Sequence, residues 1–337
     1  MPFRETFDRH RRWVPAIAFV GGFVWDAVTL GQTIKTTDLF ILLGYLAGAA
    51  TILVLIGREV KFRFAHYINA VLQFFFGGIF SALFIFYFLS SSDLPGYLVV
   101  VALAGVLVGN EFLGSKYNEL TLSWAFFTLC AIMFFNFALA HLFRSISIFW
   151  FYVGTLIALL LVFALRRVSL RERASIWPAV GVAAVMLALH AVNAIPPVPL
   201  VKKEMLVAHE LRKAGGGYVA KVESPRWRFW RTSARTFHRS GSERVYCFTS
   251  VFIPEGITTT IHHRWQVEQN GDWVTTSVVP IRIAGGRKTG YRGYSYKQNV
   301  TPGEWRVIAE AESGAAIGII SFEIEKGAPG KMKELKM

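Results

Sequence analysis

The chain is poor in charge and nearly devoid of cysteine. Only 17% of its 337 residues are charged, against 53% hydrophobic, with 29 Phe and 10 Trp; this composition excludes one ordinary soluble domain and points to a membrane protein. The 2 cysteines, Cys130 and Cys247, lie in segments of opposite character, one inside an apolar run and one in a polar, strand-like stretch. They are too far apart to bridge, and no disulfide framework is expected. Also missing are the nucleophile elbow, the zinc-protease helix, the phosphate-cradling loop and the nucleotide fingerprint. Neither a cofactor nor an enzymatic activity is indicated. Arg4, Arg9, Arg11 and Arg12 precede the first apolar run as in a signal peptide, but no small-x-small cleavage signal follows, so the run reads as a retained helix.

What is there is apolar sequence in spans. Runs near Trp13–Leu30, Asp38–Gly57, Ile68–Ser90, Gly96–Phe112, Leu120–His141, Ser145–Leu165 and Ile176–Ile195 match the roughly 17 to 25 residues that cross a hydrocarbon core. About seven transmembrane helices are predicted. The connections before and after them alternate in charge: Arg4, Arg9, Arg11, Arg12, Arg58, Lys61, Arg63, Lys116, Arg166, Arg167, Arg171 and Arg173 fall on one side, and only Lys35 and Arg144 on the other. The first side is therefore cytoplasmic. An odd number of crossings then puts the C-terminal part outside, which in a bacterium means the periplasmic side of the inner membrane.

Within the spans, small residues recur at packing distance, as in Gly44-x-x-x-Gly48 and Gly105-x-x-x-Gly109, with Gly21-Gly22 and Gly77-Gly78 as further points of close approach. Ionisable and amide groups collect in an outer layer of Asp26, Asn136, His141, His190 and Asn193. If the first and last helices touch, Asp26 and His190 form a pair suited to a proton-linked transporter or membrane sensor; otherwise the layer is packing glue.

Ile195-Pro196-Pro197-Val198-Pro199 ends the last span. A short amphipathic helix from Val201 to Lys213 is predicted next, stopped by Gly215-Gly216-Gly217. Beyond it the period changes to two, with strands expected at Tyr218–Glu223, Arg244–Phe252, Thr259–Gln269, Asp272–Ile283, Tyr291–Gln298, Glu304–Ala311 and Ile317–Ile324. Asn270-Gly271 signals a two-residue hairpin. Strands at this spacing predict an all-β, immunoglobulin-like sandwich. The organisation expected is a transmembrane domain 1–195, a Pro-rich linker and helix 196–217, an external sandwich 218–326 and a basic flexible tail 327–337.

From Val201 on, Lys and Arg number 22 against 13 acidic residues, a net of +9 (22 − 13) within the whole chain's +14. Outside the cell such a domain suits anionic lipid headgroups, cell-wall glycans or an envelope protein rather than nucleic acid. One cluster interleaves cations with aromatics: Arg226, Trp227, Arg228, Trp230 and Arg231, continuing to Arg235, Phe237, His238 and Arg239. It suits either an anionic ligand or the headgroup layer. A second cluster combines His262, His263, Arg264 and Trp265 with the Tyr291–Lys297 stretch. Alternation puts His263 and Trp265 on one strand face and His262 and Arg264 on the other, which makes the histidines poor metal co-ligands.

Val245-Tyr246-Cys247-Phe248-Thr249, Ile261-x-His263-x-Trp265, Gly286-Arg287-x-x-Gly290-Tyr291-Arg292-x-x-Ser295-x-Lys297, Pro302-Gly303-x-Trp305-x-Val307 and Gly318-x-x-x-Phe322 together resemble the bacterial domain of unknown function catalogued under 2914. That resemblance implies a small β domain in the cell envelope following a multi-helix membrane region. It supplies no activity and no catalytic residues. The binding face expected on the external domain comprises His263, Trp265, Arg292, Tyr294, Ser295, Lys297 and Trp305, with the oligomeric state left open.

Overall fold

The computed structural model describes residues 21, 23–28, 30, 35–60, 67–112, 120–169, 174–224, 235–254, 256–284 and 290–337. The chain divides into two compact units, one of Met1–Leu89, Pro95–Phe143 and Ser147–Pro199, the other of Leu200–Met337 with Ser90–Leu94 and Arg144–Ile146.

The first unit is helical. Helices α1 (Thr36–Gly57), α2 (Ile68–Ser90), α3 (Leu94–Phe112), α4 (Leu120–Leu142) and α5 (Ile148–Ser169) are long and apolar enough to cross a membrane, and they coincide with five of the predicted runs. Helix α6 (Trp177–Ala191) has only 15 residues, roughly 22 Å at 1.5 Å per residue, short of the roughly 30 Å core. It ends where Asn193 takes a positive φ of 55° ahead of the prolines. Of the first predicted run, residues 23–28 are described and helical. The described residues thus hold five helices of spanning length rather than seven.

Helix α4 packs against α1, α5 and α6, and its Trp124, Phe127, Cys130 and Phe137 are buried. Phe80 and Phe126 meet edge-on at 5.4 Å between ring centroids, the arrangement aromatic quadrupoles favour. The small residues divide by role. A Cβ on Gly48 would stand 2.5 Å from the Phe75 ring and one on Gly78 would stand 2.7 Å from Tyr45, whereas Gly44, Gly105 and Gly109 meet nothing within 4 Å. Among the described residues, close packing therefore uses one end of the first Gly-x-x-x-Gly pair and neither end of the second.

The second unit is built of strands: β1 (Val201–Ala208), β2 (Glu210–Ala214), β3 (Gly217–Glu223), β4 (Thr236–Arg239), β5 (Val245–Phe252), β6 (Thr258–Gln269), β7 (Asp272–Ala284), β8 (Tyr291–Lys297), β9 (Gly303–Glu310), β10 (Ala316–Lys326) and β11 (Met332–Lys336). All seven predicted strands are present. They form a five-stranded sheet in the order β4-β10-β9-β6-β7, a three-stranded sheet β1-β5-β8, and a second three-stranded sheet β11-β3-β2. All pairings are antiparallel except β4 with β10.

Two expectations are corrected. Val201–Lys213 is not helical: β1 pairs with β5 and β2 with β3. Sheet β1-β5-β8 lies between two layers, so Leu206 and Ala208 are buried on one side and Val207 on the other. A strand buried on both faces loses its period of two and is easily taken for a helix. The glycines that would stop a helix instead turn a hairpin, with Gly215 at φ +57° and Gly216 at +78°. The 327–337 segment is not a free tail, because Met332–Lys336 pairs with β3. The domain is therefore wider than the sandwich expected at 218–326: two stacked sheets carry a third.

Candidate functional site

The residues expected to form one binding face are divided between the core and the surface. His263 and Trp265 on β6 point inward, fully buried, and meet Ser295 of β8 and Thr249 of β5. His263 Nε2 lies 2.9 Å from Thr249 Oγ1, His263 Nδ1 lies 2.9 Å from Ser295 Oγ, and Trp265 Nε1 donates to the same Ser295 oxygen at 2.9 Å. Ser295 accepts from the indole, and the neutral imidazole donates from one ring nitrogen and accepts at the other, bridging Ser295 and Thr249. Burial pushes the His263 imidazole down to about 4, which keeps it neutral. This group pins two sheets together. Trp305 is also buried, with Nε1 donating to Thr301 O at 2.8 Å. His263, Trp265, Ser295 and Trp305 are thus corrected from recognition residues to interior ones.

Alternation sends the neighbouring positions outward. Tyr246 pairs with Tyr296, and Phe248 with Tyr294, across β5 and β8, so the three tyrosines share the face of β1-β5-β8 on which the third sheet packs. Tyr294 and Tyr296 are 42% and 49% exposed. Ring centroids are 5.7 Å apart for Tyr246–Tyr296, 6.3 Å for Tyr246–Tyr294 and 5.8 Å for Tyr218–Tyr294, Tyr218 coming from β3. The guanidinium of Arg244 lies 4.7 Å from the Tyr296 ring, within cation–π range. Of the expected face, Tyr294 lies here, and Arg292 on the same strand sits beside the backbone of Gly217. Lys297 Nζ instead donates to Ser277 Oγ at 3.2 Å, and burial lowers its pKa. Sequence reasoning missed Tyr218, Tyr246 and Arg244. The signal was the Tyr294-x-Tyr296 spacing, which commits both rings to one strand face.

The aromatic-basic strip Arg226, Trp227, Arg228, Trp230 and Arg231 lies outside the described residues. Its described continuation is structural: Phe237 is buried, and Arg239 donates to Val300 O at 2.8 Å and to Gln298 O at 2.7 Å. Among the described residues, no group of three His, Cys, Asp or Glu side chains is arranged to hold a metal ion.

The polar layer of the helical unit is not one site. Asp26 lies beside the Ser81 side chain. Asn136 Nδ2 donates to Tyr87 Oη at 2.9 Å, and His141 Nε2 meets Thr36 Oγ1 at 3.2 Å. His190 stacks on Phe151, with centroids 4.0 Å apart, and meets the edge of Tyr152. Asn193 caps α6, its amide donating to His190 O at 3.0 Å. His190 therefore spends its ring on aromatic neighbours, and the Asp26–His190 pair is not formed.

Helices of membrane-spanning length followed by a β domain define the class, a membrane protein with a C-terminal β module. Residues 258–324, from β6 into β10, match the family described as "Protein of unknown function (DUF2914)", so the C-terminal region carries a domain of that family. No curated protein matches the chain. Among solved structures, a β-glucosidase from Listeria innocua in complex with isofagomine is 10% identical over 38% of this chain and 17% of that one, with a TM-score of 0.19. The chain thus spans well under two thirds of that enzyme. The Pseudomonas fluorescens alkylpurine DNA glycosylase AlkC, bound to DNA containing an abasic site analog, is 11% identical over 84% of this chain and 97% of that one, with a TM-score of 0.23. At such scores neither likeness bears on fold or activity.

Proposed function

We propose that the chain is an integral protein of the bacterial inner membrane whose helical unit anchors a periplasmic, sandwich-type β domain, and that this domain binds an envelope ligand or protein partner without catalysing a reaction. The first and last apolar runs complete seven crossings in this reading, and the bias of Lys and Arg toward one set of connections supports the orientation.

The observation that carries the reading is the tyrosine face. Among the described residues of the β unit, Tyr294 and Tyr296 are the exposed large aromatics, and they stand side by side with Tyr246, Tyr218 and Arg244. Tyrosine offers a rigid apolar ring and a polar tip, and with arginine it is enriched where proteins recognise partners.

The test uses the full chain in lipid discs, offered purified cell-wall glycan, vesicles with and without anionic lipid, and solubilised envelope proteins, at low and high salt. Saturable binding to one of these, weakened about tenfold by Tyr294→Ala with Tyr296→Ala, is the expected result. Equal binding by the double variant rejects the face.

A further inference from the structure

Glu223 closes β3 with its carboxylate 6% exposed, and four donors surround it. His209 Nε2 lies 2.7 Å from Oε1 and His238 Nδ1 lies 2.7 Å from Oε2. The His238 amide donates to Oε1 at 2.8 Å and the Gly330 amide to Oε2 at 3.4 Å. These donors come from separate parts of the unit. His209 joins β1 to β2, His238 sits in β4 at the edge of the five-stranded sheet, and Gly330 leads into β11. One carboxylate therefore ties the sheet β11-β3-β2 to the rest of the domain.

Between that sheet and β1-β5-β8 the buried apolar residues are Leu206, Ala208, Ala220, Val222 and Phe248, with Leu211, Tyr218, Tyr246, Leu335 and Met337 partly buried against them. The His209 ring is fixed by stacking on Phe237, with centroids 3.8 Å apart and planes at 9°. Other charged groups face the cluster: Glu325 of β10 lies 3.7 Å from His238 Nε2, and Glu243, just beyond β4, feels the charges of His209 and Arg239.

We propose that Glu223, His209 and His238 form an acid-released clasp that fastens the third sheet and, through Tyr218, sets the tyrosine face. A carboxylate ringed by N–H donors accepts all of them only while ionised. A proton on it adds a competing donor and removes an acceptor. Burial works to raise the Glu223 pKa, but the hydrogen bonds from the His238 amide, the His238 ring and His209 outweigh it and hold the carboxyl below its ordinary range. For an acid whose folded pKa is depressed, the stabilisation is complete above the unfolded value, about 4.3 for glutamate, and is lost as pH falls through the folded value. Release is thus an acid event. Tyr218 lies on the clasped strand, 5.6 Å from Phe248 and in contact with Tyr294, so a loosened β3 uncovers Tyr246 and Phe248. This last step rests on reading the tyrosine face as a recognition surface; the clasp itself does not.

Amide hydrogen exchange on the full chain in lipid discs, corrected for intrinsic rates, tests the clasp without any ligand. At about pH 7, Glu223→Gln is expected to speed exchange in β3 and β11 about tenfold or more, with β6 and β9 unchanged. The unmodified chain should come to resemble the variant only once the pH has fallen below the ordinary glutamate value of about 4.3 and through the depressed folded value, and the variant should lose that pH response. His209→Gln removes one donor and should give the same local pattern at smaller size. Unchanged protection of β3 and β11 overturns the clasp, and so does an equal loss in β6 and β9, which makes Glu223 a general stability residue. Iodination of Tyr246 read by peptide mapping should rise with release; a clasp that opens while Tyr246 labelling stays constant overturns the coupling to the face.

Discussion

The two units turn opposite sides outward. In the helical unit the exposed side chains include Phe40, Leu98, Phe112, Phe149, Leu160 and Trp177, while Asn110, Ser123 and Thr128 are buried. In the Leu200–Met337 part of the β unit the exposed large hydrophobic side chains reduce, among the described residues, to Val274, Val278, Tyr294, Tyr296 and Met332. An apolar exterior around buried polar groups suits lipid, where backbone and side-chain polar groups need internal partners. A polar exterior around Trp265, Phe248 and Phe322 suits water. The contrast shows where an exposed aromatic carries information: on the helices it is solvation by lipid, whereas on β8 it departs from its surroundings and marks a surface.

The comparison breaks most strongly at the core of the β unit. Trp265→Ala removes a buried ring and the hydrogen bond its indole donates to Ser295, and is expected to cost about 3 to 5 kcal/mol, read as a fall in the thermal unfolding midpoint of the β unit. Retention of the midpoint would mean that the two stacked sheets are held elsewhere.

Next in size is the pH response of His263. Its folded pKa lies near 4, below the ordinary 6.5, so the unfolded chain binds the extra proton. Stability from the neutral ring is complete above about pH 6.5 and falls between there and about 4, by at most about 3 kcal/mol in total. His263→Gln should flatten that part of a denaturation profile, leaving the decline at lower pH from carboxylates held below their ordinary range, Glu223, Glu210 and Glu243 among them. A profile unchanged by the substitution would mean that the imidazole is not held neutral.

In lipid the same kind of hydrogen bond counts for less. Asn136→Ala removes the donor to Tyr87 and should cost about 0.6 kcal/mol, measured by unfolding in mixed micelles. Because Asp26 and His190 have separate neighbours, the double variant Asp26→Asn with His190→Ala should show no coupling beyond about 0.5 kcal/mol. A larger coupling energy would restore the pair as a unit.

How much was legible follows from which residues alternate. Strands β6, β8 and β9 were readable because burial alternates along them, as Ile261, His263 and Trp265 do against His262 and Arg264. β1 was not, since layers on both sides buried Leu206, Val207 and Ala208 and erased the pattern. β11 was read as a tail because four of its neighbouring positions, Lys331, Lys333, Glu334 and Lys336, are charged, and backbone pairing leaves no mark on composition. Period two put His263 with Trp265, and Tyr294 with Tyr296, on shared faces. It could not say which face is the core, because Trp and Tyr serve both.

That ambiguity frames the smallest expected effect on stability. Tyr296→Ala removes an exposed ring from the end of the tyrosine face and frees Arg244 from its cation–π contact, and should shift unfolding by less than about 0.5 kcal/mol. Trp265→Ala, on the neighbouring sheet, should shift it several times more. With the fold left intact, the binding measurement made on Tyr296→Ala is read against an unchanged domain. If Tyr296→Ala destabilises the β unit as much as Trp265→Ala, the exposed tyrosines are part of the core's support and the surface loses its claim to be a site.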